Sequence, residues 1–337
     1  MLDVFNTNAF NTVSMTAAIE KAPYMPSRIG KLGLFKVKGI STLSVAVEET
    51  QGKLSLLLNK ARGTMPITMP PKTRKVRTFP VFHFPANDAV MADEVQGVRS
   101  FGSEDALESV TAKVNEKLAD MRQSMELTHE WLRIGAITGN VLDGDASTVL
   151  YNLFTEFNLT QTNVNFTFTS GTFSVRGAVL TVIRAMEDAL GMTSYTGITA
   201  ICGDAFFDAL IAHASVAGAY EKWQVGTSQI PMSMRDPNEQ REGFTFAGVE
   251  WINYRGTIGG SRFVATDKCR FFPTGVNDLF HAYFAPAPFV ETVNTIGKPI
   301  YAKQEVMRFD VGVELHANSS PLLICTRPQV LVQGTAN

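Results

Sequence analysis

Residues Ser103 to Gly135, SEDALESVTAKVNEKLADMRQSMELTHEWLRIG, carry the longest helical pattern in the chain. Apolar side chains recur at Leu107, Val110, Val114, Leu118, Met121, Met125 and Leu132, the spacing that lines one face of a helix. Only Thr128 and His129 interrupt the stripe. Ser103 stands where an N-cap belongs, and Glu104 and Asp105 follow in the first turn, where the helix dipole favours acids. Gly135 and Gly139 offer the stop. At 1.5 Å per residue the rod is about 45 Å long. One apolar stripe on such a rod needs a sheet or a neighbour along its whole length, so this stretch is the expected spine.

The chain has 337 residues, enough for two compact units or one domain with long excursions. It is 45% hydrophobic with a formal charge of −2, the balance of a folded protein with a real core. That near-neutral total argues against a protein whose main task is gripping nucleic acid, although local patches stay open. Twenty-three phenylalanines are many, and long protein–protein interfaces are one place for them. Cys202, Cys269 and Cys325 are widely spaced and form no CxxC, so buried reduced thiols are expected. The opening MLDVFNTNAF lacks the basic and apolar regions of a signal peptide. The most apolar window, Ile198 to Tyr220, is broken by Asp204 and Asp208, so no membrane span is expected.

Residues 1–39 form an arm, with a short helical pattern around Val13 to Ile19 that ends before Pro23 and Pro26. Too few apolar residues lie there to hold it down, so it must rest on something else. Ser41 to Glu49 alternates, Thr50-Gln51-Gly52 has turn chemistry, and Lys53 to Lys60 is the expected return strand of a hairpin. A second extended run covers Thr73 to Phe84. After the spine, Val141 to Phe157 suggests a second hairpin and Thr162 to Phe173 a half-buried strand. Val175 to Leu190 is an amphipathic helix that stops at Gly191. Ile198 to Cys202 is a strand, and Asp204 to His213 a helix capped by Asp204. Met232 to Gly243 is a polar loop. Short strands are expected at 248–254, 261–266, 269–272 and 279–285, then one long strand at 304–316 and two closing strands at 322–325 and 330–332. Strands and helices are interspersed, which makes the class α+β.

Charge divides the chain. From Gln51 to Asn87 there is no acid, yet seven basic residues: Lys53, Lys60, Arg62, Lys72, Arg74, Lys75 and Arg77. The spine holds seven acids against four basic residues. Several like charges sit four apart, as with Glu116 and Asp120 or Glu126 and Glu130, which weakens an isolated helix slightly. A basic extended loop and an acidic rod invite pairing, within one chain or between copies. A solvated loop, or one that touches nucleic acid, explains the composition as well.

Catalytic signatures are absent: there is no phosphate loop, no dinucleotide fingerprint and no nucleophile elbow. His129-Glu130-Trp131-Leu132-Arg133 begins like a zinc helix, but the second histidine is replaced by Arg133. Asp143-Gly144-Asp145 lacks the other ligands of a calcium loop and is a turn. Asp204 and Asp208 share a helix face, where capping and solvation account for them. Phe79, Phe82 and Phe84 could stack nucleobases, but 82 and 84 alternate like a packed strand face. A chain of this size with an arm, an extended loop and no chemistry is suited to contacts with other copies of itself.

The order of elements resembles the lambda-type major capsid proteins of tailed phages, the phage major capsid protein E family. The resemblance rests on the closing run Ser319-Ser320-Pro321-Leu322-Leu323-Ile324-Cys325-Thr326-Arg327-Pro328-Gln329-Val330-Leu331-Val332, which is similar to the family's C-terminal strand. It rests also on the basic Pro71 to Pro80 stretch, on Ile198 to Asp204 followed by Phe206 and Leu210, and on Val249 to Tyr254 with Phe271-Phe272-Pro273.

The resemblance implies a Hong Kong 97-type fold: an N-arm at 1–39, an extended E-loop at 40–83, a P-domain at 84–171 and 299–337, and an A-domain at 172–298. It implies pentamers and hexamers that close an icosahedral shell around double-stranded DNA, which the inner surface contacts without sequence preference. Implied partners are a separate scaffolding protein, a portal and decoration proteins. The place of action would be the virion, with assembly in the host cytoplasm and no membrane. No cofactor, metal or catalytic residue is expected, and covalent Lys–Asn cross-linking is not expected either. Arg74, Lys75 and Arg77 facing Glu116, Asp120 and Glu126 across subunits are the candidate contacts. Two other readings stay open: the same fold as a cellular compartment around an enzyme cargo, and an enzyme with a dispersed site.

Overall fold

A computed structural model describes Thr16 and residues 28–51, 73–96, 110–219, 244–258 and 260–337. Apart from Thr16, the arm's short helix lies outside the described residues, as do the Ser103 cap, the return strand 53–60 and the loop 232–243. The first half holds α1 (Arg28–Lys31), β1 (Phe35–Gly39), β2 (Ser44–Gln51), β3 (Thr73–Pro80), β4 (Phe84–Met91), α2 (Ala92–Val95) and the spine α3 (Val110–Thr138). There follow β5 (Asn140–Leu142), β6 (Val149–Asn152), α4 (Leu153–Glu156), β7 (Thr162–Phe166), α5 (Val175–Leu190), β8 (Gly197–Cys202) and α6 (Asp204–Ala212). Strands dominate the rest: β9 (Phe244–Phe246), β10 (Val249–Asn253), β11 (Thr257–Ile258), β12 (Ser261–Arg262), β13 (Lys268–Thr274) and β14 (Phe280–Phe284). The chain closes with β15 (Tyr301–Val306), β16 (Gly312–Ser319), β17 (Pro321–Cys325) and β18 (Val332–Ala336).

The largest sheet is mixed and six-stranded, in the order β7-β18-β13-β8-β10-β9. Its core gathers Phe166, Phe206, Trp251 and Phe271, all fully buried and in mutual ring contact, against α5 and α6. Ser174 caps α5 through its hydroxyl, which accepts from the Gly177 amide at 3.1 Å. Cys202 and Cys269 face each other across β8 and β13 with their sulfurs 3.0 Å apart, both free and buried. A second sheet is β1-β14-β17, and a third, antiparallel one is β15-β16-β4.

The spine serves two of these layers. Val114, Leu118, Met121 and Met125 pack on β15-β16-β4, together with Val90, Val313 and Leu315. From His129 onward burial spreads around the helix, and Leu132, Ile134, Ala136 and Ile137 enter a separate core with Tyr151, Leu322 and Leu323. The last charged residue of the helix is Arg133, so nothing after it demands water.

Several expectations change. The helix does not stop at Gly135; it continues to Thr138, and Gly135 is instead where the helix meets Val141 of β5, leaving little room for a Cβ. Gly139, with φ +79°, makes the turn out of the helix beneath the Phe154 ring. The described partner of β2 is β3, with Ser44 opposite Pro80 and Gln51 opposite Thr73, while the expected return strand 53–60 lies outside the described residues. The single strand at 304–316 is two strands, β15 and β16, reversed by a tight turn in which Phe309 and Asp310 both have positive φ. Gly203, not Asp204, caps α6: a Cβ there would collide with the Ala265–Thr266 backbone, and the Asp204 carboxylate turns to Arg255 and Arg262.

Candidate interaction surfaces

The β2–β3 ribbon leaves the body with little burial of its own. Among its described residues the root is packed: Phe79 lies between Tyr151 and Phe157, and Phe82 stacks on Tyr151. The phenylalanines at this end are therefore packing groups. Arg77 Nε donates to the Glu156 carbonyl at 2.7 Å, and its guanidinium lies 4.7 Å from the Phe157 ring centre. Further out, Lys75 and Val76 are exposed. Arg74 sits in β3 opposite Thr50.

Arg77 thus engages its own chain at α4. Of the acids on the spine, Glu116 pairs with Lys113 at 2.7 Å, and Asp120 is exposed. Burial raises the pKa of Glu126, and its carboxylate stands 4.0 Å from His129. One base of the spine is also held within the chain: Lys117 lies 3.1 Å from Glu94 and 3.3 Å from Asp88. Burial opposes its charge, but those two carboxylates outweigh burial and raise its pKa.

Glu130, counted from sequence as one more acid on the rod, is 1% exposed and ties three regions together. It accepts from the Ile29 amide at 2.8 Å, the Gly30 amide at 3.3 Å and the Tyr254 hydroxyl at 3.1 Å, with Arg133 3.5 Å away. Beside it Arg28 donates to the Asn253 carbonyl. The arm's end, the spine and β10 of the large sheet meet at this carboxylate. Farther along the arm, the Thr16 hydroxyl accepts from the Ala302 amide of β15 at 3.3 Å, and Thr16 is buried. Of the 1–39 stretch, the described Thr16, Ile29 and Gly30 rest on the body.

The histidines occupy separate settings. His129 is buried, 2.8 Å from the Ser319 hydroxyl, and burial together with Arg133 pushes its pKa down to about 3. His83 stands 3.4 Å from both Ser320 and Asn318, the outer limit of hydrogen bonding. Among the described residues no three His, Cys, Asp or Glu side chains converge as a metal site. The Asp145 carboxylate is taken up by the Thr148 and Ser147 hydroxyls and amides, which hold its pKa well below the usual range. Burial pushes the Cys325 thiol up to about 12. No described helix is long and apolar enough to cross a membrane.

Two apolar features stand out among the described residues. A cleft of about 460 Å³ opens between the ribbon's root and the 286–294 segment, lined by Leu43, Val81, Phe82, Pro286, Pro288 and Val293 among others. At the far end of β15-β16-β4, Phe309 is 94% exposed, next to the half-exposed Met91 and Val311.

The family described as phage major capsid protein E matches residues 11–336. The major capsid protein of Pseudomonas phage KPP10 is 29% identical over 350 residues, covering 98% of this chain and 97% of that protein. That of Salmonella phage Felix O1 is 25% identical, covering 100% and 99%. The crystal structure of a putative capsid protein from a prophage of Escherichia coli CFT073 superposes with a TM-score of 0.57 at 11% identity, over 97% of this chain and 99% of that one.

Proposed function

This chain belongs to the phage major capsid protein E family, and from that premise we propose how its surfaces build a shell. It is a major capsid protein with the Hong Kong 97-type α+β fold, a structural component of the virion whose copies form the icosahedral head. The observation that carries the assembly reading is the β2–β3 ribbon: among the described residues its two strands pair only with each other, Lys75 and Val76 are exposed, and the packing is at the root. A two-stranded ribbon is at best marginally stable alone in water. It gains its missing burial by lying on a neighbouring copy.

In this reading residues 1–39 are the N-arm, 40–83 the E-loop, 84–171 with 299–337 the P-domain, and 172–298 the A-domain. The large sheet crosses those bounds, drawing β7 and β18 beside β8, β10 and β13, so the two domains share one sheet. Copies group as pentamers and hexamers. Arg74 and Lys75 of the ribbon face Glu116, Asp120 and Glu126 of a neighbour's spine, while Arg77 anchors the ribbon's root on its own α4. A separate scaffolding protein, a portal and decoration proteins act with the shell, and the packaged double-stranded DNA meets its inner surface through non-specific charge contacts. The chain carries out no chemistry of its own.

Negative-stain electron microscopy of the purified full chain tests the assembly reading. Closed shells, or rings of five and six, are expected. Particles that are uniformly monomer or dimer, even with scaffold added, would overturn it. Reversing Arg74 and Lys75 to Glu is expected to impair shells and leave the subunit folded, and normal shells would refute the ribbon–spine pairing.

A further inference from the structure

From the two apolar features, we propose that Phe309 of one copy seats in the cleft at the ribbon root of another. The inference rests on the shell reading above and names one of its contacts. Phe309 lies in the αL region at φ +64°, followed by Asp310 at φ +57°, a conformation that is uncommon and costly for a bulky side chain. The turn is nonetheless tightly specified, with the Met307 amide bonded to the Gly312 carbonyl at 2.9 Å and the Asp310 amide to the Met307 carbonyl at 3.1 Å. The result is an aromatic ring held out on a rigid tip at 94% exposure. A lone exposed aromatic on a strained turn is poor economy for a free monomer and a well-presented knob for a partner.

The cleft offers the matching hole. Its walls are Leu43, Val81, Phe82, Pro286, Pro288 and Val293, with Leu43 and Val293 at the rim 72% and 63% exposed. About 460 Å³ accepts one aromatic side chain and the edge of its turn. The floor includes Ser320, which directly follows β16. Knob and hole therefore sit at opposite ends of one strand, and β16, with eight residues, separates them by roughly 25 Å. Phe309 cannot reach the cleft of its own copy. A knob and a hole on different faces of one chain make a head-to-tail contact, the kind that closes rings and shells when repeated. That geometry selects a second copy as the occupant.

Placing p-benzoylphenylalanine at position 309 of the full chain, in particles assembled from mixed isotopically light and heavy copies, tests the contact by mass spectrometry. Light–heavy cross-links to 41–43, 81–83 or 286–294 are expected. Cross-links within one copy, links to other sites such as 1–27 or 53–72, or none in intact particles would overturn the proposal. A parent chain that forms no particles would overturn the shell reading and this contact together. Phe309→Gly supplies a second readout with opposed signs. Removing the αL strain should leave the subunit's denaturation midpoint unchanged or raised, while loss of the buried ring should weaken each contact by about tenfold or more. Val293→Glu should reproduce the assembly loss from the other side. Normal particle yield from Phe309→Gly would sink the idea.

Discussion

The six-stranded sheet and the β2–β3 ribbon use the same extended backbone and differ in where their burial comes from. In the sheet, Trp251, Phe166, Phe206 and Phe271 close on one another with no exposed surface, and α5 and α6 cover them. In the ribbon, Phe79 is buried, Val45 and Val47 are half-buried beside it, and Lys75 and Val76 stand in solvent. The first region is complete within one chain; in the assembly proposed above, the second completes its burial on a neighbouring copy. One polypeptide would then carry a part that is stable before assembly and a part whose stability is deferred to it. Substitutions should divide along the same line.

The largest effect on the subunit is expected in the sheet. Trp251→Ala removes a fully buried ring and its hydrogen bond to the Phe246 carbonyl, at a cost of about 3–5 kcal/mol by urea denaturation. A loss below about 1 kcal/mol would mean that the aromatic cluster does not hold this region. Next comes the joint at Glu130. Glu130→Gln places an amide donor against one of the Ile29 and Gly30 amides, which donate to different carboxylate oxygens, and removes the charge beside Arg133, for an expected loss of about 2–3 kcal/mol. Proteolysis should then reach the chain near Arg28 sooner than in the parent. Unchanged cleavage there would show that the arm is held by other contacts.

His129 gives a pH signature to the same body. Its folded pKa, about 3, lies below the ordinary 6.5, because burial and Arg133 penalise the charged ring. The unfolded chain therefore takes up the proton first. Stability from this group is full above about pH 6.5 and is lost as pH falls toward 3, amounting to about 2 kcal/mol between pH 7 and pH 5. Burial shifts Glu126 upward, so the folded chain takes up that carboxyl's proton first and this group opposes the loss as pH falls. Denaturation midpoints at pH 7 and pH 5 should differ less in His129→Gln than in the parent. Equal slopes would remove His129 from the account.

What the sequence made legible follows the same division. Helix α5 is found at its predicted bounds, Val175 to Leu190, because its period, its serine cap and its closing glycine are all local. Strands β8 and β14 were foreseen to within a residue or so for the same reason. The failures are non-local. Alternation gave β2 as a strand, but local turn chemistry pointed to Lys53 to Lys60 as its return limb, whereas the described partner is the more distant β3. The 304–316 run alternates straight through Phe309, whose side chain disfavours the turn that pairing with β4 and β15 imposes. Glu130 carried no signal in its own window, since a buried acid and a solvated one look alike until Ile29 and Tyr254 arrive from elsewhere. Arg74, Lys75, Glu116, Asp120 and Glu126 were named as contacts from charge alone, and their proposed partners belong to another copy.

The smallest expected effect on the subunit is at the ribbon, and it sharpens the contrast most. Val76 is 60% exposed in β3, with Arg77 turned inward to the Glu156 carbonyl behind it. Val76→Ser removes apolar surface that one chain does not bury, so the denaturation midpoint should move by no more than about 0.5 kcal/mol. If the ribbon completes itself on a neighbour, that surface is buried only in the shell, and particle stability should fall where subunit stability does not. A variant that weakens both would place Val76 in the chain's own core and erase the distinction between the two regions. One that weakens neither would leave the ribbon's apolar face with no partner, and the charge pairing of Arg74 and Lys75 would have to carry the contact alone.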